Sequence, residues 1–202
     1  MSEAKKEYDE LIQKSIFLFE TIKIQNGNVL NLDFHIKRAQ NSVLNELKFD
    51  FAKILKLKSN GVYRAKVIYD QNGELVSVEY FPYKMRDFYE FKLIDISFSY
   101  DKKYLDRSDI EKAKNGFDEI IMMKNSLITD TSIANLAIFD ESLGLWLTPK
   151  TPLLKGTSRQ RLLQNGFLKP KDISKNELLN AKKIALMNAM IGFVELDKFK
   201  II

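Results

Sequence analysis

Residues 15–32 read SIFLFETIKIQNGNVLNL, and this stretch decides how the first part of the chain folds. From position 16 to position 24 every second residue is apolar except Glu20, an alternation that is typical of a half-buried β-strand. An Asn-Gly-Asn triplet follows at 26–28, and both residue types adopt the positive φ angles that a tight hairpin turn needs. We therefore predict a strand over 15–24, a turn, and a short return strand over 29–32.

The next elements along the chain follow from similar signals. Asp33 is placed to cap a helix that carries His35 and Arg38 and runs to about Leu47. A second hairpin is predicted over 62–80, because two apolar runs flank an Asp-Gln-Asn-Gly turn signal. The first part of the chain is therefore expected to be a small sheet of antiparallel strands with one helix.

Shorter strands and further helices are predicted elsewhere in the chain. The predicted helices cover 3–14, 106–114, 158–164 and 175–190, and the predicted strands cover 91–100, 119–123, 127–128, 136–139 and 145–147. Strands and helices mix without a repeated βαβ period, so the fold class predicted is α+β. A boundary near 82–90 would divide the chain into a smaller N-terminal lobe, 1–86, and a larger C-terminal lobe, 87–202.

The composition excludes several kinds of catalytic chemistry. The chain has 202 residues, no Cys and a single His, His35. Disulfides, thiolate metal sites, a Cys nucleophile and two-His zinc sites are therefore excluded. We expect no metal site, and any chemistry has to come from Lys, Arg, carboxylates, hydroxyls or a bound cofactor.

The charge pattern bears on partners and location. The net charge is +5, but 26 of the 32 basic residues are Lys, and 27 acidic residues offset them. Proteins that bind nucleic acid favour Arg forks and clustered charge, so scattered lysines indicate a solvated surface, and nucleic-acid binding stays only an alternative. The charged N-terminus is not a signal peptide, and no apolar run approaches the roughly 18 residues of a membrane span. We expect a cytoplasmic protein without a membrane partner.

Four short segments group residues that carry chemistry: 35–38, 102–107, 127–136 and 147–159. Each alone has an ordinary explanation, such as a surface charge, a turn-capping carboxylate or a helix N-cap. Together they meet the needs of pyridoxal phosphate. Thr157 and Ser158 at a helix start can seat a phosphate, and Arg38 can form a bidentate pair with it. A strand-end lysine can form a Schiff base, while a carboxylate keeps the pyridine nitrogen protonated.

A wider set of motifs, spread over about residues 16–196, occurs in a recognisable order and approximate spacing. They are Phe19-Glu20-Thr21-Ile22-Lys23, Asn26-Gly27, His35-x-x-Arg38, Lys103-x-x-x-Arg107, Gly116-x-Asp118-Glu119, Thr129-Asp130 with Asn135-Leu136, Thr148-Pro149, Gly156-x-x-Arg159 and the tail at 185–194. In these motifs the chain resembles the class IV aminotransferases, the fold-type IV group of pyridoxal-phosphate enzymes. That group includes branched-chain aminotransferases, D-amino-acid aminotransferases and 4-amino-4-deoxychorismate lyases.

The resemblance implies a role for each matched residue. Lys103 would be the catalytic Schiff-base lysine, preferred over Lys102 because Arg107 fixes the register. Asp130 would pair with the pyridine nitrogen, at a position where the family usually has Glu. The resemblance also implies that Arg38, Thr157 and Ser158 bind the cofactor phosphate. The substrate candidates are Thr21 and Lys23, because alternate positions on their strand could face a cleft, and Arg107 of the Lys-x-x-x-Arg motif.

The resemblance also implies an architecture and an assembly. The expected fold is α+β and two-lobed, similar to D-amino-acid aminotransferases, with the cofactor between the lobes and a shortened N-terminal lobe. The closing segment at 185–194 would form a helix and a strand, and the enzyme would be a homodimer that acts on a small molecule.

The Lys-x-x-x-Arg form is similar to that of aminodeoxychorismate lyases. The implied reaction converts 4-amino-4-deoxychorismate to 4-aminobenzoate and pyruvate, a step of folate synthesis. The substrate amine would displace Lys103 from the cofactor, and the freed lysine would then remove a ring proton. Two alternatives stay open: a class IV aminotransferase acting on a branched-chain or D-amino acid, and a degenerate, non-catalytic family member.

Overall fold

Four strands pair side by side in the first part of the chain. They are β1 (Phe17–Gln25), β2 (Asn28–Val29), β3 (Val62–Asp70) and β4 (Leu75–Pro82), in the spatial order β2-β1-β3-β4. The structure is a computed structural model that describes residues 16–56 and 58–202, so the helix predicted over 3–14 lies outside the described residues. Both predicted hairpins are present, and Asn26 and Gly27 have the positive φ angles expected of the first turn. The return strand of the first hairpin ends at Val29 and not at Leu32, which begins a helix.

One face of β1 forms the centre of an apolar core. Leu18, Ile22 and Ile24 on that face have no exposed surface. They pack with residues of β3 and with two helices, α1 (Leu32–Gln40) and the short α2 (Phe51–Ile54). Full burial of each large apolar side chain is worth about 1.5–3 kcal/mol, so this cluster accounts for much of the stability of the sheet.

The helix α1 differs from its prediction at both ends. It begins at Leu32, and its N-cap is Asn31, not Asp33; Asn31 has a left-handed backbone (φ 55°) and no side-chain capping bond. The helix ends at Gln40 rather than near Leu47. The backbone N–H groups of the following segment bond instead to the β3–β4 turn, Leu44 to the Gln71 carbonyl and Lys48 to the Gly73 carbonyl. Those bonds are incompatible with a continuing helix.

A nine-stranded sheet organises the second part of the chain. Its strands are β5 (Glu90–Asp95), β6 (Ile120–Lys124), β7 (Leu127–Thr131), β8 (Asn135–Asp140), β9 (Leu145–Pro149), β10 (Leu168–Lys171), β11 (Ile184–Asn188), β12 (Gly192–Glu195) and β13 (Lys200–Ile201). Their order is β10-β9-β8-β7-β6-β5-β13, and the β11–β12 hairpin attaches to β8. The accompanying helices are α3 (Ser108–Lys114), α4 (Thr157–Gln164) and α5 (Lys175–Asn180).

The helix predicted over 175–190, and with it the closing helix at 185–194, is wrong. The helix α5 ends at Asn180, and Ile184–Asn188 is a strand that pairs with β8. The first four residues of the strand Ile184–Asn188 are fully buried. The prediction failed because a short apolar run has the same sequence pattern in a buried helix and in a central strand. Two other predictions needed shorter bounds: the strand after residue 90 ends at Asp95, and α3 begins at Ser108.

The chain divides into two compact units. The first runs to Phe81 and also takes in Lys103–Asp106, and the second comprises Pro82–Lys102 and Arg107–Ile202. Most strand pairs of the described residues are antiparallel, although the segments β5–α3–β6 and β9–α4–β10 each join two parallel strands through a helix. Because antiparallel pairing dominates both sheets, the predicted α+β class is confirmed. Within the described ranges, no helix combines the length and the apolar character that crossing a bilayer requires.

Substitution of Gly73 tests the close packing between the β3–β4 turn and the segment that follows α1. Its φ is +86°, and a Cβ atom built there would overlap the backbone carbonyl of Glu46, whereas Gly27 has a similar φ of +80° with open space around it. Gly73→Ala and Gly27→Ala should share a strain of about 1–2 kcal/mol from the left-handed backbone. Gly73→Ala should lose about 2 kcal/mol more in urea unfolding because of the overlap. Equal losses in the two variants would contradict this packing.

Candidate active site

Lys103 lies at the edge of β1, in the segment Lys103–Asp106 that belongs to the first unit. The N–H of Phe19 donates to the Lys103 carbonyl at 3.0 Å, and the N–H of Leu105 donates to the Phe17 carbonyl at 2.8 Å. An antiparallel bridge between Leu18 and Tyr104 lies between these two bonds. The backbone that carries Lys103 is therefore fixed to β1 like a short additional strand.

The side chain of Lys103 is also held by β1. Its Nζ lies 4.4 Å from the centroid of the Phe19 ring, within the range of a cation–π contact. Phe19 is buried, and Lys103 is half-buried. Backbone and side chain of this lysine are thus both oriented by the same strand.

Glu20, which follows Phe19 in β1, is a fully buried carboxylate with two hydrogen-bonding partners on α1, Arg38 and His35. Arg38 donates from Nε to Oε1 at 2.8 Å and from Nη2 to Oε2 at 2.5 Å, and His35 Nδ1 lies 2.5 Å from Oε2. Burial alone would raise the pKa of Glu20. The charge of Arg38 and the bonds from His35 and Arg38 outweigh burial and lower the pKa from 4.5 to about 2. Glu20 is therefore an ionised carboxylate inside an apolar core.

The predicted phosphate ligand Arg38 thus has one edge of its guanidinium, Nε–Nη2, on Glu20. A contact of Arg38 with a phosphate would use the other edge, which carries Nη1. The sequence patterning did not assign a role to Glu20. The available signal was that Glu20 is the one charged residue among the apolar, core-facing positions of β1. Lys103 and Arg38 are consequently anchored by consecutive residues of one strand, Phe19 and Glu20.

The two substrate candidates on β1, Thr21 and Lys23, lie on the face opposite Glu20. In the β1–β3 register Thr21 is paired with Lys66 and Lys23 with Arg64, so these four side chains share one face. Lys66 lies 3.9 Å from the carboxylate of Glu79, which leaves the face with an excess of positive charge. Like charges directly opposite each other on a sheet repel, and an anion bound there would relieve that repulsion.

Asp130 is positioned by the tight turn between β7 and β8. Thr131 and Ala134 close the turn through the N–H of Thr131 and the Thr131 hydroxyl, so that Asp130 faces Asn135 directly in the antiparallel register. The polar residues at 129–131 therefore continue β7 and do not interrupt it, contrary to the predicted end of that strand at 128. Each of these polar side chains is buried.

Both oxygens of Asp130 accept hydrogen bonds from the protein. Asn135 Nδ2 donates to Oδ1 at 2.6 Å, and the N–H of Leu154 donates to Oδ2 at 2.7 Å. Burial raises the pKa of Asp130 from 3.8 to about 7, although these two bonds and the charge of Arg159 act in the opposite direction. A cation placed beside Asp130 would lower this pKa and favour the ionised carboxylate.

Asn135 connects Asp130 to the loop that precedes α4. Its Nδ2 also donates to the Leu154 carbonyl at 2.8 Å, and its Oδ1 packs against Gly156 so closely that a Cβ atom at Gly156 would overlap it. Gly156 has an ordinary backbone conformation (φ −67°, ψ 146°), so the requirement for Gly is the close approach of Asn135 and not backbone strain.

The N-terminus of α4 holds the two predicted phosphate-binding hydroxyl residues. Gly156 is the N-cap, and Thr157 and Ser158 are the first helical residues, both buried. The first N–H groups of a helix have no intrahelical acceptor, and the helix dipole favours an anion there. Arg159 is also buried and donates from Nη2 to the Pro149 carbonyl at 2.7 Å.

Arg107, the third substrate candidate, contacts the β7–β8 turn. Its Nη2 donates to the Ser132 carbonyl at 2.8 Å, and it lies 3.6 Å from the carboxylate of Glu111 on α3. Ser132 is held from its other side, since its N–H donates to the buried Glu119 carboxylate at 2.8 Å. Within 16–56 and 58–202, no group of three or more His, Asp or Glu side chains is arranged to hold a metal ion.

The side chains described above suit one cofactor chemistry. Lys103 is an amine on a fixed backbone, Asp130 is a buried carboxyl group, and Arg38 is an oriented guanidinium. Thr157 and Ser158 open a helix whose first N–H groups can bind an anion. These are the groups that pyridoxal phosphate requires for its aldehyde, its ring nitrogen and its phosphate, so the residues present fit that cofactor.

Comparison with known proteins gives matches over most of the chain. The family model described as amino-transferase class IV matches residues 98–199. A protein of Haemophilus influenzae, named only as uncharacterized, is 35% identical over 188 residues, which cover 87% of this chain and 98% of that protein.

Solved structures also match most of the chain. A Haemophilus somnus protein, provisionally assigned as a 4-amino-4-deoxychorismate lyase, has 32% identity and a TM-score of 0.77, with 88% of this chain and 97% of that chain covered. The pyridoxal-phosphate-bound form of a hypothetical aminotransferase from Mycobacterium tuberculosis has 15% identity and a TM-score of 0.67, with 92% and 81% covered. At that identity the second likeness is one of fold.

The ionised state of Glu20 predicts how stability depends on pH. Because the pKa of Glu20 is lowered on folding, its contribution of about 3 kcal/mol is present above pH 4.5 and is lost as the pH falls toward 2. Glu20→Gln should therefore be about 3 kcal/mol less stable at pH 7, and its deficit should shrink on acidification. Urea unfolding at several pH values measures this. A deficit that stays constant from pH 7 to pH 2.5 would show that Glu20 is not ionised in the core.

The contact of Asn135 with Gly156 predicts a strong coupling between the two positions. Gly156→Ala should cost about 2–4 kcal/mol in the wild-type background, because Asn135 would have to leave Asp130 and the Leu154 carbonyl. In an Asn135→Ala background the same substitution should cost close to nothing, since the obstructing amide is absent. A double-mutant cycle of unfolding free energies measures the coupling. Additive losses would rule out this contact.

Proposed function

The chain belongs to the amino-transferase class IV family, and from that premise we propose that it is a pyridoxal-phosphate-dependent lyase that converts 4-amino-4-deoxychorismate to 4-aminobenzoate and pyruvate. The observation that carries the proposal is the near full-length match, at 32% identity, to the Haemophilus somnus protein with the provisional lyase assignment. The Lys103-x-x-x-Arg107 spacing supports the same branch of the family. On this proposal the product enters folate synthesis, and the family likeness makes a homodimer the expected assembly.

Lys103 is proposed as the catalytic residue. Bound pyridoxal phosphate would supply an aldehyde for an amine and a ring that withdraws electrons from the substrate. The fixed backbone of Lys103 and the contact of its Nζ with the Phe19 ring limit the positions that the amine can take. A lysine amine released beside a bound substrate can act as a general base, and we propose that Lys103 accepts the ring proton.

Asp130 is proposed as the partner of the pyridine nitrogen. Its carboxyl group is buried and titrates near pH 7, so a protonated ring nitrogen beside it would favour its ionised form. Asp130 has a side chain one methylene shorter than the Glu usual in the family. The bonds from Asn135 and Leu154 use one acceptor position on each of its oxygens, and each carboxylate oxygen can accept a second bond.

The phosphate is proposed to bind at the start of α4 and to Arg38. Thr157 and Ser158 offer hydroxyls together with helix N-terminal N–H groups, and Arg38 offers a guanidinium. These groups bind an anion by charge and hydrogen bonding, and they would hold the ring in one orientation while Lys103 moves protons.

The substrate is proposed to bind through its carboxylates. 4-Amino-4-deoxychorismate carries two carboxylates, and the face of β1 and β3 that holds Thr21, Lys23, Arg64 and Lys66 has excess positive charge. Arg107 is proposed as a further substrate contact. An aminotransferase substrate also carries a carboxylate, so this face favours an anionic substrate without distinguishing the two reactions.

Covalent labelling tests the assignment of the lysine. When the protein is incubated with pyridoxal phosphate and reduced with borohydride, peptide mass spectrometry should find the cofactor on Lys103. With one equivalent of cofactor, Lys103→Ala should abolish the label, because the proposed site would then lack the amine that condenses with the aldehyde. The adjacent variant Lys102→Ala is the matched control and should keep full labelling. A label on Lys102, or one that survives in Lys103→Ala, would refute the assignment.

Product analysis tests the reaction. The purified, cofactor-loaded protein should release pyruvate and 4-aminobenzoate from 4-amino-4-deoxychorismate, and Lys103→Ala should lower the rate by at least about a thousandfold. Branched-chain and D-amino acids with a keto-acid acceptor serve as the transamination control. Amino transfer without pyruvate release would favour the aminotransferase alternative, and absence of both activities with no cofactor uptake would favour a non-catalytic member.

A further inference from the structure

The carboxylate of Glu20 occupies a position where a charge is difficult to accommodate. It lies on the face of β1 between Leu18 and Ile22, and all three side chains have no exposed surface. Replacing a buried ion pair by apolar residues of similar size is often neutral or stabilising. Ionised Glu20 stabilises the fold while Arg38 is present, but an apolar pair in place of both residues could stabilise the core equally well. A role in orienting another group therefore explains the charge at this position better than core stability does.

The geometry of the Glu20–Arg38 pair is that of a two-point clamp. Two separate bonds, Nε to Oε1 at 2.8 Å and Nη2 to Oε2 at 2.5 Å, fix both the position and the plane of the guanidinium. Because the guanidinium is planar, fixing its Nε–Nη2 edge also fixes the direction in which Nη1 donates. The Arg38 side chain is only 14% exposed, so little of it samples other orientations in solvent.

His35 completes the clamp from the same helix. It precedes Arg38 by three positions on α1, which brings both side chains to one face of the helix. Its Nδ1 lies 2.5 Å from Glu20 Oε2, and its Nε2 is buried without a hydrogen-bond partner among the residues that the structure describes. His35 therefore contacts the clamp through Nδ1, on the same carboxylate oxygen that accepts from Arg38 Nη2.

We infer that Glu20 is a positioning residue that holds the guanidinium of Arg38 in the orientation that binds the phosphate of the cofactor, an inference that rests on the proposed function. Two effects of Glu20 on phosphate binding oppose each other. Its negative charge reduces the attraction of Arg38 for a phosphate, whereas its two bonds remove the rotamer freedom that a free Arg would lose on binding. We expect the second effect to be the larger one, because Arg has one of the largest side-chain entropies to lose.

The test compares pyridoxal phosphate with pyridoxal, which has the same aldehyde and ring nitrogen but no phosphate. Dissociation constants of both vitamers are measured by visible absorption on the full-length apoprotein, and their ratio gives the preference for the phosphate. Glu20→Gln keeps the size of the side chain but offers Arg38 one acceptor and one repelling NH₂ group. This variant should lower the preference for the phosphate roughly tenfold. A general loss of packing would weaken the binding of both vitamers and leave their ratio unchanged.

A double-mutant cycle separates the inference from the function on which it rests. Arg38→Ala should lower the preference at least as much as Glu20→Gln does, and adding Glu20→Gln to Arg38→Ala should change it no further, because Glu20 acts through Arg38. If the wild-type protein binds both vitamers equally, or binds neither, the proposed function fails and the inference fails with it. If the preference is lost in Arg38→Ala but unchanged or raised in Glu20→Gln, the inference alone is overturned.

A measurement on the wild-type protein keeps the inference testable if Glu20→Gln does not fold. In ¹⁵N NMR spectra, the Arg38 Nε–H should exchange slowly with solvent in the apoprotein, and its signal should persist when pyridoxal phosphate is added. That result would support a guanidinium held by Glu20 before and after binding. Fast exchange in the apoprotein, or loss of the Glu20 contact on addition of the cofactor, would overturn the inference.

Discussion

A carboxylate without exposed surface lies among the apolar side chains of β1, and the arrangement of the first unit depends on it. Glu20 can remain ionised there only because α1 brings Arg38 and His35 to its two oxygens. The core therefore requires α1 to cross β1 at one position and one rotation. Through the same strand, Phe19 faces the opposite side and contacts the side chain of Lys103. One strand thus fixes an anion, a guanidinium and an amine.

In the second unit, a turn fixes the positions of buried polar groups. The hairpin between β7 and β8 places Asp130 opposite Asn135. Asn135 donates to the Leu154 carbonyl and Asp130 accepts from the Leu154 N–H, and these two bonds fix the loop that leads into α4. The carboxyl group and the start of α4 are consequently connected by a few short bonds within one buried network. Buried networks of this kind are rigid when each polar group is satisfied, and the proposed cofactor site would need such rigidity.

Much of this could be predicted from the sequence, and the exceptions have physical reasons. Alternating polarity and Asn-Gly turns identified both hairpins of the first unit because these signals are local. The apolar run of β11 could not be distinguished from a helix, since its burial comes from pairing with β8, far away in the chain. The motif at 129–136 contained both Asp130 and Asn135, but their contact depends on recognising a tight turn at 131–134. The role of Glu20 could be inferred only from its contacts with Arg38 and His35 on α1, which are distant in sequence.

A crystal structure of the protein grown with pyridoxal phosphate would locate the cofactor and its ligands. We expect continuous density from the cofactor to Lys103 Nζ, the ring nitrogen at Asp130, and the phosphate at Thr157 and Ser158. We also expect Arg38 to contact the phosphate with Nη1 while Glu20 keeps the Nε–Nη2 edge. A cofactor bound elsewhere or attached to another lysine would refute the proposed function, and an Arg38 that leaves Glu20 to reach the phosphate would refute the role of Glu20.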